Sequence, residues 1–162
     1  MSTVRPRNAD DLTSAELAAA AIAMDRVLER EPLLSDNGFK QLERNRPRAE
    51  QDVDFLKWRE SIRESRSLAQ FVAARGWLQQ FSKIKALNRR GSSYGLKHCA
   101  EDDIGYLTNG VFIAAAIAEG FIVRRTDPGS PNAWLNISTE AWRSTDRNRE
   151  AARRRAYEAA YP

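Results

Sequence analysis

The sequence contains a single cysteine, Cys99, and no long hydrophobic run in its 162 residues. One cysteine excludes an intramolecular disulfide and a cysteine-based zinc cluster. No apolar segment approaches the roughly 20 residues that a membrane-spanning helix needs. The N-terminal run MSTVRPRNADDL also lacks the apolar core of a secretory signal. We therefore expect a cytoplasmic protein that has no membrane partner.

Acidic residues are absent from one long segment, residues 65–100. The same segment carries seven basic residues, and residues 143–162 carry six basic against three acidic side chains. Because the net charge of the whole chain is only +4, the positive charge is concentrated in these two places. Concentrated positive charge is typical of proteins that bind the phosphate backbone of nucleic acids.

Apolar residues make up 42% of the chain and charged residues 30%, which is typical of a folded soluble domain. The length suits one domain with its own core, or a small domain with a helical extension. Residues 1–12 read as a flexible lead, and residues 13–87 read as a helical region.

Residues 13–87 carry sequence signals for four helices. Thr13 and Glu16 form a capping box, and apolar residues then recur at helical spacing as far as Pro32. Further helices are expected from Ala49 onward and from Ser65 or Ser67 to near Gly76. A fourth helix, ending at residues 88–91, is expected from the spacing of Trp77, Leu78, Phe81, Ile84 and Leu87.

Residues 88–138 show the order helix, turn, helix and two-stranded hairpin. Ser92 or Ser93 can cap the first helix, and Gly105 ends it. The second helix, residues 109–119, is apolar on almost every side, and such a helix is buried.

Two strand-like segments, residues 121–125 and 133–137, flank a turn rich in proline and glycine. Residues 139–162 read as a basic C-terminal helix, with one buried stripe formed by Ala141, Trp142, Thr145, Ala152 and Ala156. We therefore expect a mainly α fold, in which a helical N-terminal part precedes a winged helix-turn-helix-like module with a small β-hairpin.

Three runs within residues 88–138, SSYGLKH, YLTNGVFIAAAIAEGF and GSPNAWLNIS, resemble a group of small proteins of bacterial plasmids, phages and related mobile elements. The order of elements also resembles that of winged helix-turn-helix proteins. The resemblance supplies no catalytic motif. It implies a mobile-element or host-defence context, in which small proteins also act as inhibitors of other proteins.

Ten residues are candidates for contacts with nucleic acid. Arginine and lysine pair with phosphates, serine and asparagine at helix starts can donate to phosphates or base edges, and the paired arginines of the first hairpin strand could lie on a wing. In a strand, however, adjacent side chains point to opposite faces, so only one of these two arginines can face the nucleic acid. The ten are Lys83, Lys85, Arg89, Arg90, Ser92, Ser93, Lys97, Asn109, Arg124 and Arg125.

The second helix offers little to bases beyond Thr108 and Asn109 at its start, whereas a typical recognition helix presents several polar side chains. The module therefore either has a structural role or binds DNA through the basic residues of segment 65–100 and the wing, and the sequence leaves both open.

No catalytic residue, metal ligand or cofactor is predicted. His98 and Cys99 are adjacent and point about 100° apart on a helix, which does not suit a nucleophile and base pair. Residues 101–103 read as an acidic helix end, because no second group of ligands accompanies them.

We expect a nucleic-acid-binding accessory or regulatory protein of a mobile element, with DNA preferred over RNA as the partner. The alternative is a protein-interaction module or inhibitor that binds a nucleic-acid-processing complex, and an enzyme ranks third. The sequence leaves the oligomeric state open, including a homodimer formed by the N-terminal helices.

Overall fold

The computed structural model describes residues 8–161, except for the side chains of Ser144 and Thr145. The predicted mainly α fold is confirmed, since the described chain holds six α-helices and two small antiparallel sheets. The helices are α1 (Ser14–Arg30), α2 (Arg48–Ser61), α3 (Ser65–Leu78), α4 (Ser93–Ile104), α5 (Asn109–Ala118) and α6 (Glu140–Ala160). The strands are β1 (Leu34–Ser35), β2 (Gly38–Phe39), β3 (Lys83–Asn88), β4 (Val123–Arg125) and β5 (Ala133–Ile137).

The start of the chain is more ordered than the predicted lead of residues 1–12. Residues 1–7 lie outside the described part, but Ala9–Asp11 form a short 3-10 helix and Leu12 is buried. The capping box at α1 is confirmed: Glu16 N–H donates to Thr13 Oγ1 at 3.1 Å, and Thr13 N–H donates to Glu16 Oε2 at 2.8 Å. None of the helices described between residues 8 and 161 is long and apolar enough to cross a membrane.

Helix α5 lies at the centre of the core, as its apolar sequence predicts. Every residue from Asn109 to Ile117 is buried, with α1, α3, α4 and the β1–β2 hairpin packed around it. Thr108 caps its start, and Gly120 ends it with a φ of 81° that suits glycine. Phe121 N–H then donates to the carbonyl of Ala116 at 3.0 Å, which is the expected Schellman ending.

The β1–β2 hairpin covers the first turn of α5. Gly110 N–H donates to the carbonyl of Asp36 at 2.9 Å, and a Cβ on Gly110 would lie 1.7 Å from the carbonyl oxygen of Ser35. Phe39 N–H donates to the carbonyl of Pro131 at 3.0 Å, which ties the β4–β5 connection to the same hairpin. The N-terminal part and the C-terminal half therefore share one packed interior.

The predicted fourth helix is wrong, because its residues divide between α3 and the strand β3. Trp77 and Leu78 end α3, and Phe81 packs against Trp77 with ring centroids 4.6 Å apart. Helical spacing would bury Ile84, yet its exposure is 39%. The alternation of lysine with apolar residues in KIKALN also suits a strand, and the backbone of β5 offers hydrogen bonds that settle the choice.

The second sheet has the order β3–β5–β4, with both neighbours antiparallel to β5. The predicted boundary between residues 87 and 88 therefore runs through the last residues of a strand of this sheet. The region 13–87 is not wholly helical either, because it also contains β1 and β2. Each misplacement has the same cause, since strand pairing depends on partners far away in the sequence.

The C-terminal helix is confirmed, but its predicted buried stripe is wrong beyond the first turn. Ala141 and Trp142 are buried against the body of the protein, and the side chain of Thr145 lies outside the described residues. Ala152 and Ala156 are exposed, as is every residue from 146 to 161. Helix α6 packs on α4, and no other described element covers its outer part, residues 146–160.

Candidate nucleic-acid interface

Four basic residues form a row along β3 and the loop that follows it: Lys83, Lys85, Arg89 and Arg90, called the basic row below. All four side chains are exposed, and β3 is an edge strand of its sheet. Among the described side chains, Lys83, Lys85 and Arg89 form no ion pair. The ammonium of Lys83 lies 5.0 Å from the ring centroid of Phe121, which holds it beside the sheet.

An irregular pairing pushes the middle of β3 toward solvent. Lys83 pairs with Ile137 and Asn88 pairs with Leu135. The two pairs are therefore five residues apart on β3 but only two residues apart on β5. Asn136 stabilises this bulge, since its side-chain amide donates to the carbonyl of Ile84 at 2.9 Å. A bulge locally disrupts the pairing of a strand, and here residues 83–86, including Lys85, are exposed.

Arg90 connects the basic row to α6. Its Nη2 lies 3.1 Å from Asp146 Oδ2, and its guanidinium lies 6.0 Å from the Trp142 ring. Both partners of this ion pair are about half exposed, and such pairs contribute only about 0.2–1 kcal/mol, so a phosphate can compete for Arg90.

Arg143 joins the same surface, although the sequence did not predict it as a site residue. It is exposed and lies one helical turn before Asp146, the partner of Arg90. Arg143 comes close to Arg90 because α6 begins beside the end of β3. There the side-chain amide of Asn88 donates to Thr139 Oγ1 at 3.4 Å. The only signal in the sequence was the positive charge of the C-terminal segment.

Ser93 and Asn109 must be removed from the predicted contact residues, because both are buried. Ser93 Oγ donates to Asn109 Oδ1 at 3.0 Å and accepts from Ala133 N–H at 3.1 Å. Asn109 Nδ2 donates to the carbonyl of Pro131 at 3.2 Å and to Asn132 Oδ1 at 3.1 Å. The two side chains join α4 and α5 to β5 and its preceding turn, and they do not reach the surface.

Lys97 must also be removed from the predicted contact residues, because it is buried. Its side chain is only 7% exposed, and its Nζ lies 2.7 Å from Glu101 Oε1. The i,i+4 spacing of this pair was visible in the sequence and is the signal that could have identified an internal ion pair.

Of the predicted wing arginines, Arg125 is half buried and bonded internally, whereas Arg124 is exposed. Arg125 Nη2 donates to the carbonyls of Lys40 at 2.8 Å and Ser130 at 2.9 Å, so this arginine holds the β4–β5 turn against the N-terminal hairpin. Arg124 lies on β4, across β5 from the basic row, about 10 Å away at two strand spacings. Ser92 is half buried at the N-cap of α4, where its side chain makes no capping hydrogen bond.

Helix α5 cannot present a reading face in this structure. Thr108 Oγ1 accepts from Val111 N–H at 3.3 Å and donates to Asp36 Oδ1 at 2.7 Å. Burial raises the pKa of Asp36, while the hydrogen bonds from Thr108 and Ser61 oppose that rise. Both polar residues at the start of α5, Thr108 and Asn109, therefore serve its capping and packing.

The acidic helix end at residues 101–103 is bonded to the protein's own donors. Asp102 accepts from Arg149 at 2.8 Å, and Asp103 accepts from the indole of Trp77 at 2.8 Å. Burial opposes ionisation of Glu101, but hydrogen bonds from Lys97, Leu107 N–H and His98 outweigh it and lower the pKa of Glu101. Within residues 8–161, no group of three or more His, Cys, Asp and Glu side chains is placed to hold a metal ion.

No family model, curated protein or solved structure matches the chain. What the protein binds is therefore inferred from its own surface.

Proposed function

We propose that the protein binds nucleic acid through the phosphate backbone, using the basic row and Arg143. The observation that carries the proposal is the exposure of Lys83, Lys85 and Arg89 side by side, with no ion-pair partner among the described side chains. The row extends over up to roughly 20 Å of chain, the length of several phosphate spacings on one strand. Each phosphate contact would release condensed counterions, which makes such binding favourable at low salt.

The order of elements supports a winged helix-turn-helix interpretation of residues 88–138. Helices α4 and α5 follow one another across the turn at Gly105, the strands β4 and β5 come next, and β3 adds a third strand. In that interpretation α5 is the second helix of the pair and the β4–β5 turn is the wing. Both are occupied by contacts to the β1–β2 hairpin, which supports a structural use of the module.

Binding that depends on the basic row alone carries little sequence information, because phosphates are the same at every base. We therefore propose an accessory role on nucleic acid rather than sequence-specific regulation. The resemblance of residues 88–138 to small proteins of plasmids and phages supports a mobile-element setting for this role. DNA is the first ligand to test, and RNA offers the same phosphate chemistry.

Charge reversal tests the proposal. We expect the double variant Lys85→Glu and Arg89→Glu to bind labelled DNA at least tenfold more weakly at about 50 mM salt, measured by fluorescence anisotropy. Its salt dependence should also fall by about two ion equivalents, one for each lost phosphate contact.

The matched control is Arg26→Glu with Arg30→Glu. These are two exposed cations on α1, and their reversal changes the net charge by the same amount. Equal loss of affinity in both double variants would mean that net charge, and not the basic row, attracts the DNA, and the proposal would then be wrong.

A protein partner is the second candidate function, and the exposed apolar side chains of α2 favour it. Val53 is 66% exposed and Leu56 61% exposed, one helical turn apart on the outer face of α2. An interaction module of this kind predicts a stable complex with a purified partner and negligible affinity for free DNA. Wild-type binding of DNA in the anisotropy experiment would decide between the two functions.

A further inference from the structure

Two exposed tyrosines lie beside the buried Lys97 ammonium. Tyr94 is 52% exposed and Tyr106 72% exposed, whereas the Lys97 side chain is 7% exposed. Lys97 Nζ lies 5.3 Å from the ring centroid of Tyr94 and 5.5 Å from that of Tyr106. The ammonium lies over one face of each ring, and much of each ring is still open to solvent.

One carboxylate holds this arrangement together. Glu101 Oε1 bonds Lys97 at 2.7 Å and accepts from Leu107 N–H at 3.0 Å, which fixes the loop that carries Tyr106. Glu101 Oε2 lies 2.7 Å from His98 Nδ1, and the His98 ring meets Tyr94 edge-on with centroids 4.5 Å apart. Both tyrosines are therefore positioned before any ligand arrives, which lowers the entropy lost on binding.

Tyr94 lies close to the basic row in the chain. Tyr94 follows Arg90 by four residues, so their Cα atoms are at most about 15 Å apart. The three carboxylates on the same helix α4, Glu101, Asp102 and Asp103, are bonded to the protein's own donors. The surface around the rings therefore suits the flat faces of bases, while the basic row suits phosphates.

We infer that Tyr94 and Tyr106 form a stacking platform for unpaired bases, so that the bound nucleic acid is single-stranded where it crosses α4. The inference rests on the proposed function, since the basic row must hold the backbone. Bases stack on aromatic side chains without regard to sequence, which agrees with a buried α5 that reads no bases. In a duplex the base faces are covered by their neighbours, so this platform selects single strands.

Three labelled probes of equal length, about 15 nucleotides, separate stacking from charge: oligo-dT, oligo-dT with abasic sites through its centre, and a duplex. We expect wild-type protein to bind oligo-dT more tightly than either other probe. Tyr94→Ala and Tyr106→Ala should each weaken oligo-dT binding by about 5- to 100-fold and leave abasic binding unchanged. Tyr94→Phe and Tyr106→Phe keep the rings and should bind like wild type.

Tyr157→Ala is the matched control, because Tyr157 is 67% exposed on α6 and its ring lies against Tyr161, whereas Lys97 lies over Tyr94 and Tyr106. Thermal melting of each variant checks that the fold is kept. If the alanine variants bind oligo-dT as wild type does, while charge reversal of the basic row still weakens binding, the stacking platform is wrong and the proposed function stands. If none of the three probes binds to wild-type protein, both the proposed function and the stacking platform are wrong.

Discussion

Gly110→Ala tests whether the β1–β2 hairpin is packed on α5 as tightly as the structure shows. A Cβ at this position would lie 1.7 Å from the carbonyl oxygen of Ser35 and 2.7 Å from backbone atoms of Asp36. These are backbone atoms, so the hairpin itself must move. Overpacking of this kind costs about 1–3 kcal/mol. Loss of the Gly110 N–H bond to Asp36 would add about 0.5–1.5 kcal/mol.

The higher helix propensity of alanine would return up to about 1 kcal/mol. We therefore expect the free energy of unfolding to fall by about 0.5–4.5 kcal/mol, measured by urea denaturation with circular dichroism. Gly76→Ala is the control: Gly76 lies in α3, and a Cβ there meets no atom within 4 Å. The control should gain about 0.5–1 kcal/mol. If Gly110→Ala is as stable as wild type, the hairpin does not cover the first turn of α5 closely, and the argument that this turn is closed to bases is wrong.

Two further predictions concern Glu101 and α6. Because the folded pKa of Glu101 is lowered, its ionised form stabilises the protein above the unfolded pKa, and this contribution is lost as the pH falls through the folded pKa. Glu101→Gln should therefore be less stable than wild type at neutral pH, and the gap should narrow below about pH 4, measured by denaturation at several pH values; a gap that is constant with pH would contradict the lowered pKa. Truncation after Arg149 should change the free energy of unfolding by less than about 0.5 kcal/mol in the same assay, because residues 150–161 are all exposed. A larger loss of stability would show that this end of α6 packs against the rest of the protein.

Local signals in the sequence were sufficient for most helices. The capping box of Thr13 and Glu16, the Thr108 cap and the Gly120 ending each satisfy backbone groups within one or two turns of the chain. Such contacts are fixed by short spacings, so a sequence pattern can predict them. The apolar composition of residues 109–119 likewise predicted a buried helix, because a helix in contact with solvent needs a polar face and this one has almost none.

The strand β3 could not be predicted in the same way. KIKALN fits a helical stripe together with Trp77 and Phe81, and it also fits a strand. The choice depends on the edge of β5, about 50 residues later in the sequence, where Ser138 N–H donates to the carbonyl of Ser82 at 2.9 Å. The bulge that exposes Lys85 depends in turn on the side chain of Asn136.

The candidate site was only partly visible in the sequence. Basic composition pointed to Lys83, Lys85 and Arg89, which the structure leaves exposed and together. Composition could not separate them from Lys97, which is bonded inside to Glu101. It also could not place Arg143 beside the basic row, since that requires the path of α6 after the sheet.

The central claim is that the basic row grips phosphates without reading sequence. The most direct measurement is the affinity of wild-type protein for two oligonucleotides of unrelated sequence across a range of salt concentrations. We predict equal affinities for the two sequences and a linear fall of log K with log salt, with a slope of about −2 to −4 for three to five phosphate contacts. Affinity that does not change with salt, or that differs tenfold or more between the two sequences, would contradict the claim.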